Sequence, residues 1–312
     1  MKLQQHQCGI IYVAFGYDYL LMAVHSAATA KKTNPGIHCT VVTNYQIDLQ
    51  RVRGEWPFDD LIIVEKDSKY NRLVKTNIIQ YTSLERCLYL DCDTEVRGSL
   101  EPVFNCLDRF DLAMKLNFST VKKEYEIAPG IPGRLFPVWN GGAIFFRNDD
   151  RVQEFFSRWS RFFMEEGRKS DQPALARAVY ASPELRLLTL GPLWNAFPDD
   201  AAFLRNGIRD ALIWHYRLPY RWPAVAPSLY QIHQHISPAL INQDAALAGE
   251  IEDASRRYKF LASPFYRRGI GCPLFQKCKP LLKFFIDVAG LFKVKIKRDS
   301  QAFGRKYEHI DD

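Results

Sequence analysis

No stretch of the 312 residues runs apolar and uncharged for the ~18 residues a helix needs to cross a bilayer, which argues against a spanning protein. Residues 1–7 are polar, and the apolar segment behind them contains Tyr17 and Asp18, so the layout of a secretory signal is not expected either. Cysteine is sparse: seven residues, an odd number, without the paired spacing of a disulfide framework or a zinc site. Reduced thiols in a cytosolic protein are the simplest account. Neither Gly-x-Gly-x-x-Gly nor Gly-x-x-x-x-Gly-Lys-Ser/Thr follows the first apolar segment, which argues against dinucleotide dehydrogenases and P-loop hydrolases.

What is present is enough apolar material, 47%, for one large domain or two. Charge is unevenly shared. Residues 255–312 hold fourteen Lys and Arg against five Asp and Glu, a net +9, which leaves residues 1–254 at −2 of the total +7. The chain therefore reads as a nearly neutral body, residues 1–238, followed by a helical basic extension, residues 239–312.

Along the body, apolar β-branched runs predict strands at 9–15, 37–43, 61–64, 87–90, 111–116, 143–146 and 211–214. Helical spacing of apolar residues predicts helices at 17–32, 72–82 and 150–166, the first stopped by Asn34-Pro35-Gly36. Strands alternating with helices imply an α/β fold with parallel pairing and right-handed crossovers. Ser170 and Asp171 look like the cap and first turn of a further helix. Residues 117–138 break periodicity with Pro129, Gly130, Pro132, Gly133 and Pro137, a pattern that suits a binding loop. His233 and His235 fall in a Pro-flanked polar stretch, expected to be loop, and receive no role.

The chemically suggestive segment is Cys87-Leu-Tyr-Leu-Asp91-Cys-Asp93-Thr94-Glu95-Val96. If the strand continues through it, its period of two turns Asp91 and Asp93 to one face. Two carboxylates held so close repel unless a cation lies between them, and Mg²⁺ or Mn²⁺ takes carboxylates together with phosphate oxygens. A strand that simply ends in an acidic turn leaves the same pattern. His215, at the end of an apolar run, reads by itself as a satisfied core residue before it reads as a ligand.

Taken in order, these pieces resemble the retaining nucleotide-sugar glycosyltransferases of family 8, over residues 9–222. Lys75-Thr76 followed by the apolar strand and Asp91-x-Asp93-x-x-Val96 is the best-matched part. Trp139-Asn140-Gly141-Gly142-Ala143 is similar to the family's aromatic-Asn-Ser-Gly-aliphatic segment, and Asp171-Gln172 to its Asp-Gln pair. Leu193-Trp194-Asn195 and Ile213-Trp214-His215-Tyr216 resemble its later Tyr-Asn turn and histidine. The resemblance implies a GT-A-type mixed, mostly parallel sheet flanked by helices. It implies Mn²⁺ (or Mg²⁺) on Asp91, Asp93 and His215, bridging the phosphates of a UDP-sugar. Lys75 would neutralise phosphate or hold the donor sugar, and Ala14 and Tyr19 would contact the uridine. Asn140, Asp171 and Gln172 would surround the sugar and the reacting carbon. Gly141 stands for the usual serine, and Phe15-Gly16 replaces the Asn of the first strand-to-helix turn. After His215 the family's Gly and Lys are missing, so Arg217 or Arg221 would supply the positive charge.

In the basic extension, residues 240–258 read as a polar-to-charged helix. Residues 280–292 place Leu281, Phe284, Phe285, Val288 and Phe292 on one stripe beside lysines. Such a helix suits an anionic membrane surface, and packing on the body suits it as well. Together these features lead to an expected hexosyltransferase, cytoplasmic and peripheral on the inner membrane face, acting on a glycan or lipid-linked acceptor such as a lipopolysaccharide core. A nucleotidyltransferase making nucleotide sugars and a catalytically weakened membrane scaffold are the alternatives; no motif points to nucleic acid.

Overall fold

The computed structural model describes residues 8–65, 70–117, 126–167, 170–198, 200, 206–216, 225–241, 245–264 and 266. Its centre is a seven-stranded sheet. The strands are β1 (Cys8–Ala14), β2 (His38–Thr43), β3 (Asp60–Ile63), β4 (Arg86–Leu90), β6 (Leu112–Leu116), β9 (Trp139–Arg147) and β10 (Leu187–Leu190), in the order β10-β6-β9-β4-β1-β2-β3. β1 pairs in parallel with β2 and β4, β2 with β3, and β6 with β10. β9 alone runs against its neighbours β4 and β6. β1 is buried at every position, which is why it reads as a continuous apolar run rather than an alternation.

Helix α1 (Tyr17–Thr33) covers one face with Leu20, Leu21, Val24 and Ala27, and its approach is set by Gly16 at φ 97°, a left-handed value glycine adopts without strain. The other face is covered by α4 (Asp150–Glu165), whose Val152, Phe155, Phe156, Trp159 and Phe163 are buried, and by α5 (Asp171–Tyr180). Helix α3 (Glu101–Cys106) links a short strand β5 (Thr94–Val96) to β6. β5 pairs antiparallel with β11 (Ile213–His215) in a separate two-stranded ribbon. Residues 126–132 form a small hairpin, β7 (Glu126–Ala128) with β8 (Ile131–Pro132), inside the stretch expected to be irregular.

Several expectations shift. The helix expected over 72–82 is only α2 (Asn71–Lys75), followed by a 3-10 turn at Ile78–Tyr81. Thr76 Oγ1 bonds back to the Leu73 carbonyl (2.9 Å), and Asn77 at φ −130° leaves the helical region. β9 begins at Trp139 rather than 143, because its early residues still pair with Leu116 and Ala143 with Leu90. Ser170 occupies the N-cap of α5 but its side chain makes no capping bond. His233 and His235 lie on α6 (Ala226–Ile236), not in a loop; Pro227 in the first turn starts that helix. His233 is buried and its Nδ1 lies 2.9 Å from the Tyr17 hydroxyl. The later helix is α7 (Ala245–Ala262), displaced from the expected 240–258. It buries Ala254, Tyr258 and Leu261 in the same core as β1 and α1, and Tyr258 and Arg257 bond to Asp18. Residues 267–312, with the expected membrane-facing stripe, lie outside the described residues. Among the described residues no helix is long and apolar enough to cross a membrane. The five described cysteines are unpaired thiols.

Candidate active site

Strand β4 ends at Leu90, so Asp91 and Asp93 stand in the bend between β4 and β5 rather than on a continuing strand. Alternation nevertheless persists across the bend. Cys92 points into the core, with its Sγ 3.1 Å from the Val13 carbonyl, and the two carboxylates face outward. Backbone bonds hold the bend on both sides: Asp91 N–H donates to Gly142 O (2.8 Å), Tyr216 N–H to Asp93 O (2.8 Å), and the Thr94 hydroxyl to Asp91 O (2.8 Å). The β5–β11 register sets His215 opposite Thr94, which brings its imidazole to Asp93, Nε2 to Oδ1 2.9 Å. One ligand atom from each of Asp91, Asp93 and His215 falls within 4.8 Å of the others.

The donor set of two carboxylates and an imidazole suits a divalent cation that also takes phosphate oxygens. The space in front of it is kept by Gly142: a Cβ there would stand 2.9 Å from Asp91 Oδ2, Asn140 Oδ1 and His215 Cε1 alike. The residues present therefore fit a metal ion. Burial pushes the Asp93 carboxyl up, and the neighbouring His215 more than reverses this, holding it below the usual carboxylate range.

Next to this cluster Lys75, at the end of α2, places its ammonium 3.1 Å from Asp91 Oδ1 and 2.9 Å from Asp171 Oδ2. Burial alone would lower its pKa, but Asp171 and then Asp91 raise it well above an ordinary lysine, so it stays charged. Asp171 is pushed up by burial and pulled further down by Lys75 and Arg72, which keeps it ionised. Gln172 spans the start of β9, accepting from Gly141 N–H (3.4 Å) and donating to the Trp139 carbonyl. Asn140 Oδ1 accepts from Gly142 N–H (2.8 Å) and from Asn195 Nδ2 (2.6 Å), and Asn195 Oδ1 meets His215 Nδ1 at 2.7 Å.

Thus Asp91, Asp93, His215, Lys75, Asp171, Gln172 and Asn140 form one bonded constellation at the edge where β4 ends and β9 begins. Ala14 ends β1; its methyl is fully buried and its carbonyl accepts from the Thr43 hydroxyl (2.7 Å). Tyr19 sits half-buried on α1 against the core. Asn44 Oδ1 accepts from Gly16 N–H (3.3 Å), so an asparagine from the end of β2 serves the turn that lacks its own. Arg217 and Arg221 lie outside the described residues. Two further residues of the site carry no motif in the sequence: Tyr89, whose hydroxyl donates to Asp91 Oδ1 (2.6 Å), and Arg72, 4.0 Å from Asp171. Tyr89 stands two residues before Asp91 in the strand, and that period was the available signal. Asn195 lay within a matched motif, but nothing in the sequence marked its side chain as the partner of His215.

No protein-family model matches the chain, and no curated protein matches it. Solved structures do. An active-site mutant of LgtC superposes with a TM-score of 0.51 at 14% identity, over 78% of this chain and 99% of that one. The apo form of the glycosyltransferase GlyE from Streptococcus pneumoniae TIGR4 superposes with a TM-score of 0.50 at 14% identity, over 84% of this chain and 64% of that one. The galactosyltransferase LgtC in complex with donor and acceptor sugar analogues gives 0.49 at 14% identity, over 78% and 99%. The solved glycosyltransferase structures named here share their fold, GT-A, with this chain.

Proposed function

We infer that the protein transfers a hexose from a UDP-sugar to a hydroxyl of a glycan or lipid-linked acceptor, with retention of configuration and with Mn²⁺ or Mg²⁺ bound. The observation that carries this reading is the convergence of Asp91, Asp93 and His215 within 4.8 Å, with the Lys75 ammonium 3.1 Å from Asp91. Asp91, Asp93 and His215 would hold the ion, which when bound supplies Lewis-acid stabilisation of the charge on a departing diphosphate. Lys75 adds a fixed positive charge at the same place and needs no reorganisation to do so. Asp171 and Gln172 are assigned to the donor sugar. A carboxylate that stays ionised steadies positive charge developing at the reacting carbon, as the ionised member of a retaining glycosidase's carboxyl pair does. Asn140 is assigned to orienting the sugar from the β9 side. Ala14 and Tyr19 are assigned to the uridine, and Arg217 or Arg221 to the diphosphate in place of the missing lysine. The acceptor is assigned to the space under residues 117–138 and the segment following Tyr216. The basic residues 267–312 are assigned to an anionic membrane surface on the cytoplasmic side.

The test is to incubate the protein with UDP-, GDP- and CMP-sugars, with and without Mn²⁺, and follow release of the nucleotide. UDP release that needs Mn²⁺ and disappears in Asp93→Ala is the expected result. Mn²⁺-independent UDP binding without turnover would indicate a scaffold, and pyrophosphate exchange into a nucleoside triphosphate would indicate a nucleotidyltransferase; either overturns the reading.

A further inference from the structure

Behind His215, away from the carboxylates, lies a buried ion pair that none of the chemistry above uses. Lys115 of β6 and Asp200 are 3% and 6% exposed at their side chains. A buried pair is often no more stabilising than apolar residues of the same volume, so stability alone is a weak reason for one here. What the pair touches supplies a better reason. The Lys115 ammonium bonds to the Asp200 carboxylate and donates to the Asn195 carbonyl (3.2 Å). Asp200 Oδ2 also accepts from Phe197 N–H (2.7 Å). Among the described residues Asn195 is the only non-glycine at positive φ, 58°, a conformation that needs its surroundings to hold it.

That conformation aims the Asn195 side chain. Its Oδ1 meets His215 Nδ1 at 2.7 Å and its Nδ2 meets Asn140 Oδ1 at 2.6 Å. Two residues on, the Phe197 ring stacks on the imidazole, centroids 4.4 Å apart. The Lys115 ammonium sits 5.0 Å from the centroid of the same ring. The orientation of His215 is thus governed on its edge by Asn195 and on its face by Phe197, and both are tied to one charge pair.

We propose that Lys115 and Asp200 are positioning residues: they lock Asn195 and Phe197 so that Asn195 fixes the ring and the protonated nitrogen of His215 and, through Asn140, the start of β9. The inference rests on the function above only in what His215 then ligates; the locked turn stands without it. An acceptor at Nδ1 keeps that nitrogen protonated and leaves Nε2 directed at Asp93, the arrangement a metal-ligating histidine requires.

The experiment compares the full-length protein with Lys115→Met/Asp200→Asn, which removes both charges together, and with Lys115→Gln/Asp200→Asn, which also removes both charges but keeps one N–H for the Asn195 carbonyl. Three quantities are measured: the melting transition, exchange protection of the His215 Nδ1–H by ¹⁵N-histidine NMR without metal, and Mn²⁺ affinity by EPR titration. The expected result is a cooperative melt, lost Nδ1–H protection and Mn²⁺ binding weaker by about tenfold in Lys115→Met/Asp200→Asn, with Lys115→Gln/Asp200→Asn between. A folded Lys115→Met/Asp200→Asn variant with wild-type protection and wild-type Mn²⁺ affinity overturns the proposal. If Lys115→Met/Asp200→Asn does not fold, Lys115→Gln/Asp200→Asn decides, and wild-type values of both readouts there overturn the proposal equally. If the unaltered protein binds no Mn²⁺, the functional reading fails instead, and Nδ1–H protection decides the positioning role by itself.

Discussion

Lys75 is the side chain on which the charges of the site balance. Its ammonium stands between Asp91 and Asp171, so removing it leaves two carboxylates without their shared partner. Lys75→Met is expected to cost about 3 kcal/mol of stability in the metal-free protein, the scale for breaking a buried pair. Mn²⁺ should raise the melting temperature of that variant more than that of the unaltered protein, because the ion takes over the neutralisation of Asp91. Equal shifts in the two proteins would show that ammonium and ion do not share that carboxylate. Gly142 gives a second test at this scale. An added methyl would stand 2.9 Å from three site atoms. Gly142→Ala is expected to weaken Mn²⁺ binding by about tenfold, with a stability loss of about 1–3 kcal/mol from overpacking, checked by EPR titration and thermal melts.

At the scale of elements, the ends of strands do the positioning, and those ends were the least readable part of the sequence. The strands themselves followed from apolar runs such as 87–90 because packed strands must be apolar on both faces. The break in the 72–82 helix did not, since apolar spacing continues through Ile78 and Ile79 and only the Thr76 back-bond and the Asn77 backbone end it. Asp171 was readable as a first-turn acid and also served as one, but its ion pair with Lys75 joins residues 96 positions apart, which no local pattern encodes. Asp111 is a comparable long-range anchor. Buried at the start of β6, it accepts from the Arg186 backbone and guanidinium (2.6–3.2 Å) and from Arg151 (3.2 Å), fastening β10 and α4. Burial raises its pKa, and the bonds to Arg186 outweigh that and leave it lowered. A carboxylate lowered on folding contributes stability that is complete above its unfolded pKa, about 3.9, and is lost as pH falls through the folded value. Asp111→Asn should therefore cost about 2 kcal/mol at pH 7 and give a shallower loss of melting temperature below about pH 4. An acid limb as steep as that of the unaltered protein would remove Asp111 as its source.

At the scale of the whole molecule, the sequence suggested a body and an extension, whereas α7 shares the core of the sheet. Charge composition shifts near residue 255, but burial of Ala254, Tyr258 and Leu261 carries the fold past it. Removing residues 241–312 takes those side chains away, a loss on the order of 5 kcal/mol or more, comparable to the stability of an entire domain. That truncation should aggregate on expression. Ending the chain after residue 266 should instead preserve the melting transition and Mn²⁺ binding while releasing the protein from anionic vesicles in a flotation assay. Undiminished flotation would discard the membrane role of the basic end. The sheet's one reversed strand has a further result. Because β9 enters from the site and leaves toward the far edge, residues 117–138 feed straight into Asn140, whereas β4 delivers Asp91 from the opposite direction. On the function proposed above, the segment assigned to the acceptor would enter through β9 while Asp91 and Asp93 come from β4, so grafting a different 117–138 insert offers a way to redirect acceptor choice while the cation-gripping residues stay as they are.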